Sequence, residues 1–237
     1  MTSEEKKQLK ELEKALGISF KKLAFLKKAI THKSYTNELK LPPSEHNERI
    51  EFLGDAVLEL CISHLLIDEF EDAPEGELSK IRASVVNEAQ LAAIAEGMNL
   101  GNYLYLGKGE DLTGGRKKPS LLSDAYEAVL GAVYLDQGFK KAFALVQKHF
   151  MELILQAGRE GFSKDYKTRL QEEVQGRFKV VPRYQLISAT GPDHNKTFEI
   201  HLFIRNDMYG VGLGNSKKSA EQEAAKQALE KLDKEKV

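Results

Sequence analysis

Asn47-Glu-Arg-Ile-Glu-Phe-Leu-Gly-Asp-Ala56, NERIEFLGDA, places three carboxylates on one stripe of a helix whose other side is apolar. At 100° per residue, Glu48, Glu51 and Asp55 fall within about 60° of one another. Ile50, Leu53, Val57, Leu60 and Cys61 recur at helical spacing and are expected to face the core. Like charges three and four residues apart destabilise an isolated helix by roughly 0.2–0.5 kcal/mol per pair. A cation bound by all three would reverse that sign. The segment enters after Pro42-Pro43-Ser44, with Ser44 or Asn47 as the expected cap.

Outward from this stretch, the chain up to about residue 157 reads as helix throughout. Leu9, Leu12 and Leu16 mark a first helix ended by Gly17, and Phe25, Leu26, Ala29 and Ile30 a second. Leu78 to Glu96 reads as one alanine-rich helix. Gly107 to Ser120, GKGEDLTGGRKKPS, reads as a long basic loop, after which Leu121, Leu122, Ala125, Val129, Ala132 and Val133 resume helical spacing. AGREGFS, Ala157 to Ser163, is the expected break, so residues 1–157 form one domain, 158–163 a linker and 164–237 a second domain. There, helix from Asp165 to Gly176 precedes two alternating stretches, one at Tyr184–Leu186 that blurs at Ile187 and one at Phe198–Ile204. Asn206-Asp207 turns into a third strand, Met208 to Leu213, and Ser216 to Leu232 is helix. The expectation is multi-domain: an all-α domain, then a small α+β domain of order α-β-β-β-α with both helices on one sheet face.

Composition bounds the function. The 237 residues are 41% hydrophobic and 30% charged, ordinary for a globular protein, and no run approaches the roughly 18 apolar residues of a membrane span. The start, MTSEEKKQLK, has no apolar signal core, so a cytoplasmic protein with no membrane partner is expected. The single cysteine, Cys61, has no partner for a disulfide and is expected to be a buried structural thiol. Formal net charge is −1, yet Ser163 to Val237 carries 14 Lys and Arg against 11 Asp and Glu, a net of +3. A polyanionic partner for that part follows weakly.

A second acid pair, Asp124 and Glu127, follows the basic loop, with Ala128 and Gly131 on the same helical face and Gly54 near the first stripe. Small residues there would let two helices approach until both acid sets face one point. Oxygen ligands without cysteine or paired histidine suit Mg²⁺, or Mn²⁺ in its place, and no small-molecule cofactor. Such an ion takes phosphate oxygens and activates water at a phosphodiester. On spacing alone, two solvated acidic helix faces, the usual fate of charge runs, are the favoured reading. Lys217 and Lys218 open the last helix against its dipole, a conflict that a bound phosphate would remove; solvated lysines are the other reading.

HNERIEFLGDAVL, His46 to Leu58, resembles the signature of ribonuclease III, the family that cuts double-stranded RNA. GELSKIRASVVN (Gly76–Asn87) and LLSDAYEAVLGAVYLDQGF (Leu121–Phe139) are similar to its other blocks. The resemblance implies a metal site of Glu51, Asp55, Asp124 and Glu127, with Asp55 and Glu127 the catalytic pair. Glu48 and Glu75 match supporting acids. It also implies a homodimer in which Phe52 packs into the partner; an ordinary core aromatic is the alternative for that residue. Products would carry 5′-phosphates and 3′-hydroxyls with short 3′ overhangs, and ribosomal RNA precursors, structured messages and tRNA precursors would be substrates. GPDHNKTF (Gly191–Phe198) and KKSAEQEAA (Lys217–Ala225) resemble the double-stranded RNA-binding domain. On that likeness Thr168, Gln171 and Gln175 meet one minor groove, His194 the next, and Lys217 and Lys218 the phosphates between. A non-cleaving binder of RNA duplexes is the alternative function; a phosphohydrolase of small nucleotides gives the second domain no role.

Overall fold

The computed structural model of the chain describes residues 1–162, 166–192 and 196–235, with 160–162 described by backbone alone. It divides into two compact units, Met1–Ala157 and Gly158–Val237. Helix α9 (Phe139–Phe162) continues through Gly158 and Gly161, where the sequence pattern led us to expect a linker. A helical glycine costs about 1 kcal/mol, and a helix of this length absorbs two.

The first unit is helical. Helix α1 (Ser3–Leu16) starts in a capping box between Thr2 and Glu5 and stops at Gly17, whose φ of 70° closes the last turn. Helix α2 (Leu23–Ala29) is followed by a short α3 (Lys33–Glu38), which the sequence pattern did not suggest. Helix α4 (Glu48–Glu69) carries the carboxylate stripe; Asn47 holds the cap position, but its side chain makes no capping bond, and its N–H donates to Thr31 O instead (2.9 Å). The expected single helix at 78–96 is two, α5 (Glu75–Val85) and α6 (Glu88–Gly97), because Asn87 caps the second through its Oδ1 and Gln90 N–H.

The expected basic loop is structured. It contains α7 (Lys108–Leu112) and a 3₁₀ turn at Gly115–Lys117. Arg116 fastens it: Nε and Nη2 fork onto Asp111 (2.8 and 3.0 Å), while Nη1 donates to the carbonyls of Gly101 and Leu104 (both 3.0 Å). Pro119, preorganised for a first helical turn, then opens α8 (Pro119–Gln137). Helix α8 lies at the centre of the unit, with Leu122, Ala125, Tyr126, Val129 and Val133 all but fully buried. Tyr126 keeps its hydroxyl satisfied by His149 Nδ1 (3.0 Å). Cys61 is buried, and burial pushes its thiol up to about 11, as an inert core cysteine requires.

The second unit pairs α10 (Tyr166–Phe178) and α11 (Lys217–Lys234) with an antiparallel sheet of order β1 (Arg183–Thr190), β2 (Thr197–Ile204), β3 (Asp207–Gly214). The alternation that blurs at Ile187 is a bulge: the register shifts between Leu186 and Ser188. Leu170, Val174, Ile200, Leu202, Ile204 and Leu232 fill the core, which is completed by alanines of α11. Gly210 and Gly212 face that helix so closely that a Cβ at either would strike the backbone of Ala224 or Ala220. Among the described residues no helix is long and apolar enough to cross a membrane.

Candidate active site

Helices α4 and α8 touch backbone to backbone. A Cβ on Gly54 would sit 2.6 Å from the carbonyl carbon of Glu127 and nearer still to its oxygen, and 3.1 Å from Gly131 N; one on Gly131 would strike Ile50 O. The two glycines are the contact, and acids flank them on both helices: Glu51 and Asp55 on α4, Asp124 and Glu127 on α8.

Glu51 and Glu127 feel the charges of the others. Glu127 is pushed up to about 8, first by burial and then by the charges of Asp55, Glu51 and Asp124. Glu51 rises to about 7, again by burial first, then by Asp124 and Glu48. Burial also raises Asp124, against a hydrogen bond from Ser123 Oγ (3.4 Å). Asp55 is exposed at the open edge of the group. Carboxylates penalised by burial and by one another are those that a divalent cation stabilises, and an all-oxygen donor set suits a hard ion. The side chains as placed do not yet converge: among the described residues, no group of three or more His, Cys, Asp or Glu is close enough to hold an ion.

The remaining acids differ. Glu48 is already engaged, with Oε1 3.0 Å from Lys33 Nζ and Oε2 3.8 Å from His46 Nε2, and Lys33 holds its carboxyl below the usual range. Glu75 opens α5, exposed, and accepts from Ser79 Oγ (2.7 Å). Sequence reasoning missed Glu59, whose charge also reaches Glu127 and which pairs with Arg82 Nε at 3.0 Å. The signal was available, since Glu59 extends the same i, i+4 row from Glu51 and Asp55. It also missed Lys33, which sits on the unforeseen α3.

Phe52 is 80% exposed, so it is not a core aromatic of this chain. Leu60, expected on the core-facing side, is 56% exposed, and Ile67 is 61% exposed. At 100° per residue the three line one stripe of α4 beside the carboxylates.

In the second unit, Gln171 and Gln175 lie one turn apart on the exposed side of α10, with Thr168 a turn earlier on the same side. Lys217 and Lys218 are exposed at the first two positions of α11, beyond a capping box of Ser216 and Ser219. His194 lies outside the described residues.

Comparison with known proteins gives two matching families, a ribonuclease-III-like model over residues 23–154 and the double-stranded RNA binding motif over 166–232. A protein of Bdellovibrio bacteriovorus named Ribonuclease 3 is 48% identical over 222 residues, 93% of this chain and 94% of its own length. A Ribonuclease 3 of Nitratiruptor is 45% identical, covering 95% and 97%. A solved nuclease domain of Campylobacter jejuni ribonuclease III, described for flexibility in a region involved in dimer formation, superposes with a TM-score of 0.55 at 43% identity. It covers 60% of this chain and 99% of that one.

Proposed function

Because this chain belongs to the ribonuclease III family and is an endoribonuclease of double-stranded RNA, we propose that it hydrolyses one phosphodiester in each strand of a duplex at Glu51, Asp55, Asp124 and Glu127. The observation that supports the residue assignment is the backbone contact at Gly54 and Gly131, which brings the acids of α4 and α8 within reach of one another's charge: Glu127 is raised by burial and then by Asp55 and Glu51, and Glu51 by burial and then by Asp124. Mg²⁺, or Mn²⁺, held there would polarise the scissile phosphate and supply an activated water. The chain's own residues divide the rest. All four carboxylates would hold the ion, Glu51, Asp124 and Glu127 partly buried and Asp55 exposed, and Asp55 and Glu127, the catalytic pair, would also orient the attacking water and the leaving oxygen. Products end in 5′-phosphate and 3′-hydroxyl with short 3′ overhangs, and precursors of ribosomal RNA, some structured messages and tRNA precursors are the proposed substrates, in the cytoplasm.

Two such sites are needed for a staggered double cut. The exposed row Phe52, Leu60 and Ile67 supports a homodimer that sets them side by side. The second unit supplies affinity: Thr168, Gln171 and Gln175 in one minor groove, Lys217 and Lys218 on phosphates, with His194 assigned to the adjoining groove.

The test is a long RNA duplex incubated with and without Mg²⁺, with Glu127→Gln alongside wild type. Cleavage should require Mg²⁺ and vanish in the variant, while duplex affinity stays within about twofold. A variant that still cuts removes Glu127 from the site, and 3′-phosphate ends would refute metal-assisted hydrolysis of this kind.

A further inference from the structure

A duplex approaching these carboxylates meets a local excess of negative charge. Glu51, Asp55, Asp124 and Glu127 flank the contact between α4 and α8, with Glu48 one turn before Glu51, and phosphates flanking the scissile one lie within the ~8 Å over which charges act at physiological salt. An ion at the scissile phosphate does not neutralise its neighbours. Lys33, at the start of α3, places a cation there: Nζ is 3.0 Å from Glu48 Oε1, its side chain is 58% exposed, and its charge acts on Glu51 and Asp124 as well as Glu48.

The pair is not needed to hold α3 in place. Backbone bonds already fix that segment, from Asn47 N to Thr31 O (2.9 Å), His32 N to Tyr105 O (3.1 Å) and Tyr105 N to Ile30 O (2.9 Å). An exposed ion pair adds little stability to such a strap. The neighbouring His32 also lies within reach of Asp124 and Glu48, but its Nδ1 is bonded to Ser34 Oγ at 2.8 Å and burial lowers its pKa, which disfavours the charged form. What remains for Lys33 is the location of its charge.

Resting on the nuclease reading above, we infer that Lys33 is a substrate-positioning cation that grips a backbone phosphate beside the scissile one, with Glu48 aiming it at the site until RNA arrives. Glu48 is therefore a lysine holder rather than a metal ligand, its Oε1 already committed to Lys33 Nζ. A Lys–phosphate bond is charge-assisted and worth about one counterion released per contact.

The experiment compares Lys33→Met, Lys33→Arg and Glu48→Gln with wild type on one long RNA duplex. Two quantities are read: KM and kcat with Mg²⁺, and the salt dependence of duplex binding in chelator, where nothing is cut. Lys33→Met should raise KM about tenfold with kcat within about twofold, and lower the salt slope by about one unit per subunit. Lys33→Arg should restore both. Glu48→Gln breaks the pair but leaves the cation, so its slope should equal wild type. Unchanged KM and slope in Lys33→Met overturn the inference, as does Glu48→Gln reproducing the Lys33→Met slope. If wild type itself neither binds nor cuts the duplex, the nuclease reading fails instead.

Discussion

Gly54→Ala adds one carbon at the point where α4 and α8 touch. The new Cβ would lie 2.6 Å from the Glu127 carbonyl carbon and 3.1 Å from Gly131 N, both backbone atoms that cannot swing aside. Ordinary contact needs roughly 3.5 Å, so the helices must part by about 1 Å. A gap of that size forfeits a quarter to a half of each contact across the seam, which Ile50, Val57 and Leu58 of α4 help to bury. Overpacking of this kind costs typically 1–3 kcal/mol, and a backbone clash lies at the upper end. Alanine returns about 1 kcal/mol of helix propensity. The expected net loss is about 2 kcal/mol, read as a lowered urea midpoint. Catalysis should suffer more. Ligand distances tolerate only about ±0.2 Å, and here Glu51 and Asp55 move as a body from Asp124 and Glu127. Cleavage at a temperature where the variant is fully folded should therefore fall at least tenfold. Gly97→Ala is the control: nothing lies within 4 Å of its added carbon, so stability should hold or rise slightly. If Gly54→Ala matches Gly97→Ala in both stability and cleavage, the backbone contact does not set the site.

Replacing Lys217 and Lys218 with alanine should weaken duplex binding and lower its salt slope by up to about two units, whereas an unchanged slope would leave both lysines in solvent. Metal-free protein should lose stability between about pH 4.5 and 8. Glu51 and Glu127 have folded values raised to about 7 and about 8, so their contribution is complete below the unfolded value of 4.5 and disappears as pH climbs through the folded ones. Glu48 and Glu110, held low by Lys33 and Lys118, already contribute fully above 4.5 and do not shape this window. Allowing for partial exposure, the loss is on the order of 2 kcal/mol, and saturating Mg²⁺ should recover most of it at pH 8 and little at pH 5. Calorimetry that finds the same Mg²⁺ effect at both values would exclude ion binding by these acids.

Legibility in the sequence followed the range of the interactions involved. The carboxylate row and the α8 pair were visible because i, i+3 and i, i+4 spacing alone sets a helical face, and Gly54 and Gly131 announced a close crossing. Pairing between distant segments was not visible. Lys33 came to Glu48 through α3, whose six residues are too few to show a period. Arg116 turned an apparent loop into a fastened corner by reaching carbonyls twelve and fifteen residues back. Leu60 was misassigned because a helix with apolar residues on two sides has no single buried face: one side serves this chain's core, and the other is exposed.

The seam between α11 and β3, where alanines meet glycines, has a bearing on how the second unit holds RNA. Contacts made by backbone and methyl groups have no alternative rotamers, so the helix cannot shift along the sheet by repacking. In the binding mode proposed above, Lys217 and Lys218 would project from a platform whose ordering entropy was spent at folding, and only their own side-chain freedom would be lost on meeting phosphate. Recognition of a regular duplex by shape needs that stiffness, because a ruler that bends would fit many spacings and measure none.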